Sequence, residues 1–332
     1  MRPSLQQRCE AQIRNEAALH KGHKLELEQI VKLAAMMYAN AGRDVDAERL
    51  KECKRILKDK VSVFSNFRGY MQYLVQVKMA LSDDPNAYID GVLGVYKQLK
   101  EGIKLPGEMV AMAATTIYEN CPLESHAEVV GKTREAYAKL KEQHRFLTGE
   151  EDMALIALMI MSGIDPDQAA EKAEELYVML KDRYLPGSDT PQSAAMVLAL
   201  SEKPAEQKAA DFIGLYDACK AAGHATSKDK AMAIYATFAD LDADRADIVA
   251  DIGEVDEWLK KQKGYGALGV GASIRRLFAA TLVLEDFQVT GASTATSATN
   301  AVAQAIVEEL VLILISIIVT AIVVNTIVRS SH

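Results

Sequence analysis

A period of about forty residues restricts this chain more than any other feature. Three segments place a tyrosine three residues before a leucine that is followed by a lysine: Tyr96-Lys97-Gln98-Leu99-Lys100, Tyr137-Ala138-Lys139-Leu140-Lys141 and Tyr177-Val178-Met179-Leu180-Lys181. A fourth, Tyr216-Asp217-Ala218-Cys219-Lys220, keeps the tyrosine and the lysine, and the tyrosines are 41, 40 and 39 residues apart. One step back from Tyr96 reaches Ile56 in Arg55-Ile56-Leu57-Lys58. One step forward of 39 from Tyr216 reaches Val255 in Glu254-Val255-Asp256-Glu257-Trp258. These flanking copies are weaker. Self-similarity at this spacing is the mark of stacked supersecondary units, each unable to bury its apolar face alone.

After each landmark comes a short polar or glycine-bearing break and then an apolar stretch, at 70–81, 109–118, 153–161, 194–200 and 231–238. These stretches are too apolar for a surface helix with one buried stripe, so they are expected to form an inner layer under lysine-rich outer helices. Breaks at Asp83-Asp84-Pro85-Asn86, Cys121-Pro122, Gly163-Ile164-Asp165-Pro166-Asp167, Leu185-Pro186-Gly187-Ser188-Asp189 and Lys203-Pro204 suit helix starts, with proline in the first turn and Asp or Ser as the cap. No useful length alternates with period two, so no sheet is expected. The expected class is all-α: about six stacked helix hairpins, α-solenoid-like, similar in kind to tetratricopeptide or HEAT arrays but without their signatures. A compact irregular helical bundle is the alternative. Residues 1–44 read as N-terminal helices and 45–287 as the repeat domain.

Composition agrees, since helix formers abound while 19 Gly and 8 Pro are few for 332 residues. A net charge of −8 argues against a nucleic-acid binder, which needs a basic face to neutralise phosphates. Cys9, Cys53, Cys121 and Cys219 lie far apart and form no C-x-x-C pair, so neither a zinc site nor a disulfide framework is suggested. The polar start, Met1-Arg2-Pro3-Ser4-Leu5, lacks the apolar core of a signal peptide, which places the folded part in the cytoplasm.

Residues 288–300 are small, polar and uncharged, as befits a linker. A hydrophobic helix is expected over 301–328. Its uncharged core runs from Leu310 to Val328, 19 residues that span about 28 Å as a helix, close to a hydrocarbon core of about 30 Å. Glu308 and Glu309 mark one edge and Arg329 the other. The expectation is a transmembrane tail anchor. A helix buried in the protein's own core or in an oligomer seam would give a similar run.

Sites of chemistry are sparse. Gly264-Tyr265-Gly266-Ala267-Leu268-Gly269 has the literal G-x-G-x-x-G spacing, but Trp258-Leu259-Lys260-Lys261-Gln262-Lys263 precedes it where a dinucleotide fold needs a hydrophobic strand. Gly264, Gly266 and Gly269 are therefore expected to turn the last hairpin, with Arg275 and Arg276 able to attract an anion at the start of the next helix. Phe64-Ser65-Asn66-Phe67-Arg68-Gly69 is a second candidate contact, in which Phe64, Phe67 and Arg68 either pack the first repeat or meet a partner. His20 and His23 share a helix-face spacing without further ligands, and His126, His144 and His224 stand alone. Glu150, Glu151 and Asp152 precede an apolar helix, where they complement its dipole. No catalytic residue, cofactor or metal site is assigned.

The segments 64–69 and 264–282, with the Tyr-x-x-Leu-Lys landmarks between them, resemble a bacterial family known only as a domain of unknown function, numbered four thousand and three in its series. The likeness spans roughly residues 10 to 287 and leaves the apolar tail outside. It implies a helical fold and carries no activity to transfer. The resulting expectation is a non-enzymatic cytoplasmic scaffold, tethered by its C-terminal helix and offering a concave face to a protein or peptide. An enzyme or small-ligand binder with an inner groove, and a soluble homo-oligomer built on the tail, are the alternatives.

Overall fold

A computed structural model describes residues 1–22, 28–63, 65–69, 71–143, 148–183, 190–201, 203–226, 231–239, 241 and 243–289. The described residues are helical and contain no strand. The α-helices are α1 (Pro3–Gly22), α2 (Glu28–Asn40), α3 (Ala47–Lys60), α4 (Met71–Leu81), α5 (Pro85–Leu99), α6 (Glu108–Asn120), α7 (His126–Gln143), α8 (Met153–Met161), α9 (Pro166–Leu180), α10 (Thr190–Ala199), α11 (Ala205–Ala221), α12 (Arg245–Leu259) and α13 (Gly271–Val289). The apolar stretch after α11 is a 3₁₀ helix, Ala231–Phe238, where an α-helix was expected.

Local chemistry sets where the outer helices begin. Asp46, Asp84, Asp165 and Asp244 cap α3, α5, α9 and α12, each side chain accepting from backbone N–H groups of the first turn. Pro85 and Pro166 follow two of these caps, where a missing N–H costs nothing. The outer helices bury one stripe. In α5 it is Tyr88, Ile89, Val92, Val95, Tyr96 and Leu99, the spacing of a single helix face. The inner helices are buried all round: every residue from Met153 to Ile160 of α8 and from Met109 to Ile117 of α6 is buried.

Packing joins α1 to α2, α3 to α4, α5 to α6, α7 to α8, α9 to α10, α11 to 231–238 and α12 to α13, seven pairs where about six were expected. Pair 1 is made of the residues read as separate N-terminal helices. Each pair packs on the next through inner helices, outer helices or both, and α1 packs on α13. The first and last pairs therefore meet, and the chain closes on itself where an open row would leave two free ends. Arg8 Nη1 lies 3.5 Å from Glu285, Asn40 donates to Glu285, and Arg2 pairs with Asp251 at 2.9 Å and Asp286 at 3.0 Å across this seam.

The connections within pairs gather at one end of the ring. Asn66 donates to the Pro106 carbonyl at 2.5 Å and the Gly107 N–H donates to Glu150 at 2.6 Å, each contact linking one pair's connection to the next, while Gln192 in the first turn of α10 donates to Thr148 at 2.8 Å. Connections between pairs lie at the other end, where Lys203 of one donates to the Ala239 carbonyl of the next. Helix α13 runs two residues into the segment expected to be linker, ending at Val289. Among the described residues no helix is long and apolar enough to cross a membrane. The tail limits Leu310 and Val328 lie outside the described residues.

Candidate functional site

The landmark tyrosines occupy one structural position: Tyr96, Tyr137, Tyr177 and Tyr216 are each the twelfth residue of α5, α7, α9 and α11. The leucines three residues later, Leu99, Leu140 and Leu180, are buried, as is Cys219 in the fourth segment. The twelfth residue of α12 is Asp256, followed by Leu259 and Lys260 at the landmark spacing, so the final copy is one residue further on than the step to Val255 implied. In α1 the same spacing runs Glu16, Leu19, His20. Asp256 thus stands where four other helices carry tyrosine, Glu16, the fourteenth residue of α1, shares only the spacing to the leucine, and both acids are ion-pair centres.

Glu16 is almost wholly buried against Lys32, whose side chain is inaccessible and whose Nζ lies 2.7 Å from the carboxylate. Tyr265 donates its hydroxyl to Glu16, Gln12 Nε2 donates to it at 2.9 Å, and Lys32 Nζ stands 3.8 Å from the Tyr265 ring centroid. Burial and the adjacent Glu16 charge push the Tyr265 phenol well above its usual range, so it acts as a fixed donor. Asp256 is also inaccessible. It accepts from Arg275 Nε at 2.5 Å, His224 Nδ1 at 2.9 Å and Arg276 Nε at 3.4 Å. Burial alone would raise its pKa, but these hydrogen bonds and the two arginine charges outweigh that and hold it below the usual carboxylate value.

The glycine loop joins the two centres. Gly264 has φ of +83°, a left-handed conformation that glycine adopts without steric cost. Its carbonyl accepts from the Val270 N–H at 2.9 Å, and any side chain at Gly269 would overlap that carbonyl. Two of the three candidate glycines are thus required by the turn itself, and at Gly266 a Cβ meets nothing within 4 Å. Gly269→Ala is expected to destabilise by about 1–3 kcal/mol, because only backbone movement relieves the overlap. Gly266→Ala is expected to leave the urea midpoint unchanged, and a midpoint loss equal to that of Gly269→Ala would contradict this account.

Between α1, the start of α2 and this loop lies a cleft of about 730 Å³, the size of a small-ligand or short-peptide site. Ile13 and Ala17 give it an apolar wall, Glu16, His20 and Glu28 a polar one, and Lys260 and Lys263 stand on the loop side. Glu28 is half-exposed, 3.6 Å from His20 and 3.7 Å from Lys32, distances that leave its oxygens open to a closer donor.

The other candidates fall elsewhere. Phe67 is fully buried edge-on against Tyr96, with centroids 5.1 Å apart, and Arg68 lies half-buried beside it in pair 2. Phe64 is outside the described residues, as are His23 and His144. Arg275 and Arg276 are engaged with Asp256 and with the Tyr265 and Ala225 carbonyls, leaving little capacity for an anion. Glu150 serves the neighbouring connection at Gly107, while Asp152 accepts from the Gly149 N–H at 2.9 Å. His224, Asp256 and Glu257 are close enough to share a cation. The arginines already neutralise Asp256, and Glu257 pairs with Lys260 at 3.1 Å, so this set is poorly suited to one. Burial raises Cys9 and Cys219 to about 12 and Cys53 to about 11, away from the range of a reactive thiolate.

The pairing of His224, read as standing alone, with Asp256 was the clearest omission of sequence reading. It lies 32 residues from Asp256 and no local pattern joins them; a register step of 40 from Tyr216 would have singled out the aspartate. No curated protein and no solved structure matches the chain. Residues 16–320 match the family described as "Protein of unknown function (DUF4003)", a match that runs beyond residue 287 and takes in much of the apolar tail expected to lie outside it. With the match covering nearly its whole length, this closed set of helix pairs belongs to the DUF4003 family.

Proposed function

We propose that the protein is a non-enzymatic scaffold of seven copies of one helix-hairpin unit, held at a membrane from the cytoplasmic side by the apolar segment 310–328, and that it binds a peptide segment of a protein partner. The seam cleft carries this reading. Its volume suits a few peptide residues, and it sets the Glu28 carboxylate opposite Lys260, groups that pair with a peptide's own charges. The repeat reading is supported by the shared twelfth position, and the tether by the length and apolarity of residues 310–328.

A photo-crosslinking residue at Gly266, where a side chain has open space on the cleft wall, tests the proposal in full-length protein within native membranes. A discrete protein adduct that disappears with Glu28→Arg is expected. Adducts that persist unchanged with Glu28→Arg, or none beyond those given by a probe at exposed Leu123, would overturn it.

A further inference from the structure

The two ends of the ring differ in charge and in exposed apolar surface. In the described connections within pairs, eight Lys or Arg face five Asp or Glu; in those between pairs, two face seven. Helix termini explain the sign, because the outer helices begin at the second end with capping aspartates and finish at the first with lysines. Termini do not explain the side chains at the tips. Val63 is 67% exposed, Leu105 is 89% exposed and Leu268 is fully exposed, all on connections within pairs, against Leu123 alone, 76% exposed, among the described connections between pairs. Lys104 adjoins Leu105, and Lys261 and Lys263 share the connection that carries Leu268. All three lysines are exposed and make no ion pair among the described residues.

We propose that this end of the ring lies on an anionic lipid surface, the apolar tips entering the interface and Lys104, Lys261 and Lys263 meeting the headgroups. Exposed apolar side chains interleaved with unpaired cations are the chemistry of interfacial binding, and the acidic opposite end is repelled by the same surface. The inference rests on the tether proposed above, because one weak surface contact gains residence from a second attachment. Chain length permits it. Helix α13 ends at Val289 on the acidic end, about 28 Å from the tips by its own 19 residues. Residues 290–300 reach at most roughly 36 Å as extended chain, and 301–309, expected to be helical, add about 13 Å, enough to return to the bilayer that residues 310–328 would cross.

The test places an environment-sensitive fluorophore on full-length protein at Leu105→Cys or, on the opposite end, at Leu123→Cys, each with half-buried Cys121→Ser. Protein is incorporated into phosphatidylcholine vesicles with and without phosphatidylserine, and quenching by lipid-borne spin labels is read. Quenching at position 105 is expected to rise at least about twofold with phosphatidylserine and to return to baseline in Lys104→Glu/Lys261→Glu/Lys263→Glu protein, while position 123 stays in water. Quenching at 123, at both positions equally, or at neither overturns the proposal. Carbonate extraction of the same vesicles reports on the tether separately. If carbonate releases the protein, the tether reading fails, yet quenching at 105 upon peripheral binding still decides which end meets lipid.

Discussion

Lys32→Met is expected to cost the protein about 3–5 kcal/mol of stability, seen as a fall in Tm on the order of 10 °C. Lys32 is inaccessible and its ammonium is the counter-charge of buried Glu16, so removing it strands a carboxylate among Tyr265, Gln12 and the α2 backbone. Desolvating an unpaired charge costs more than the pair contributes, so Glu16→Gln added to Lys32→Met should recover part of the loss. If the double variant falls below wild type by the full sum of the two single losses, the two side chains are not coupled and the seam is held by other contacts. Because this network binds pair 1 to pair 7, the same substitution should expose the seam first, as faster amide exchange in α1 and α13 than in α7 and α8.

Asp256→Ala is expected to destabilise to a similar extent, about 3–5 kcal/mol, by leaving Arg275 buried without its partner. The pH dependence supplies the sign. The folded-state pKa of Asp256 lies below its ordinary value of 3.8, so its stabilising contribution is complete above that value and is lost as pH falls through the folded pKa. The wild-type protein should therefore lose stability more steeply below about pH 4 than the Asp256→Ala variant, in urea titrations at fixed pH steps. Parallel curves for the two proteins would show that Asp256 is not held in its charged form by the arginines and His224.

Much of the fold was legible because it follows from short-range rules. The capping aspartates, the prolines behind them and the inner apolar stretches sit where local chemistry puts helix starts and buried helices; 153–161 coincides with α8. The 3₁₀ form of Ala231–Phe238 was not legible, since an apolar run does not distinguish two helical windings. At the site, the glycine loop was recognised as a turn from its composition. The positively charged residues after it were read as free for an anion because nothing in the local sequence shows that Asp256, nineteen and twenty residues earlier, neutralises them.

The sequence by itself determined the all-α class and where most of the helices begin, because helix periodicity and capping are properties of neighbouring residues. Only the tertiary structure decided that the pairs close into a ring. Closure depends on the small rotation between one pair and the next, which accumulates over seven pairs and is written at no single position. It is satisfied where residues far apart in the chain meet, with Arg8 reaching Glu285 and Glu16 reaching Tyr265. The buried acids Glu16 and Asp256 take on their meaning there, since only the packing shows that they stand in the pairs that must join.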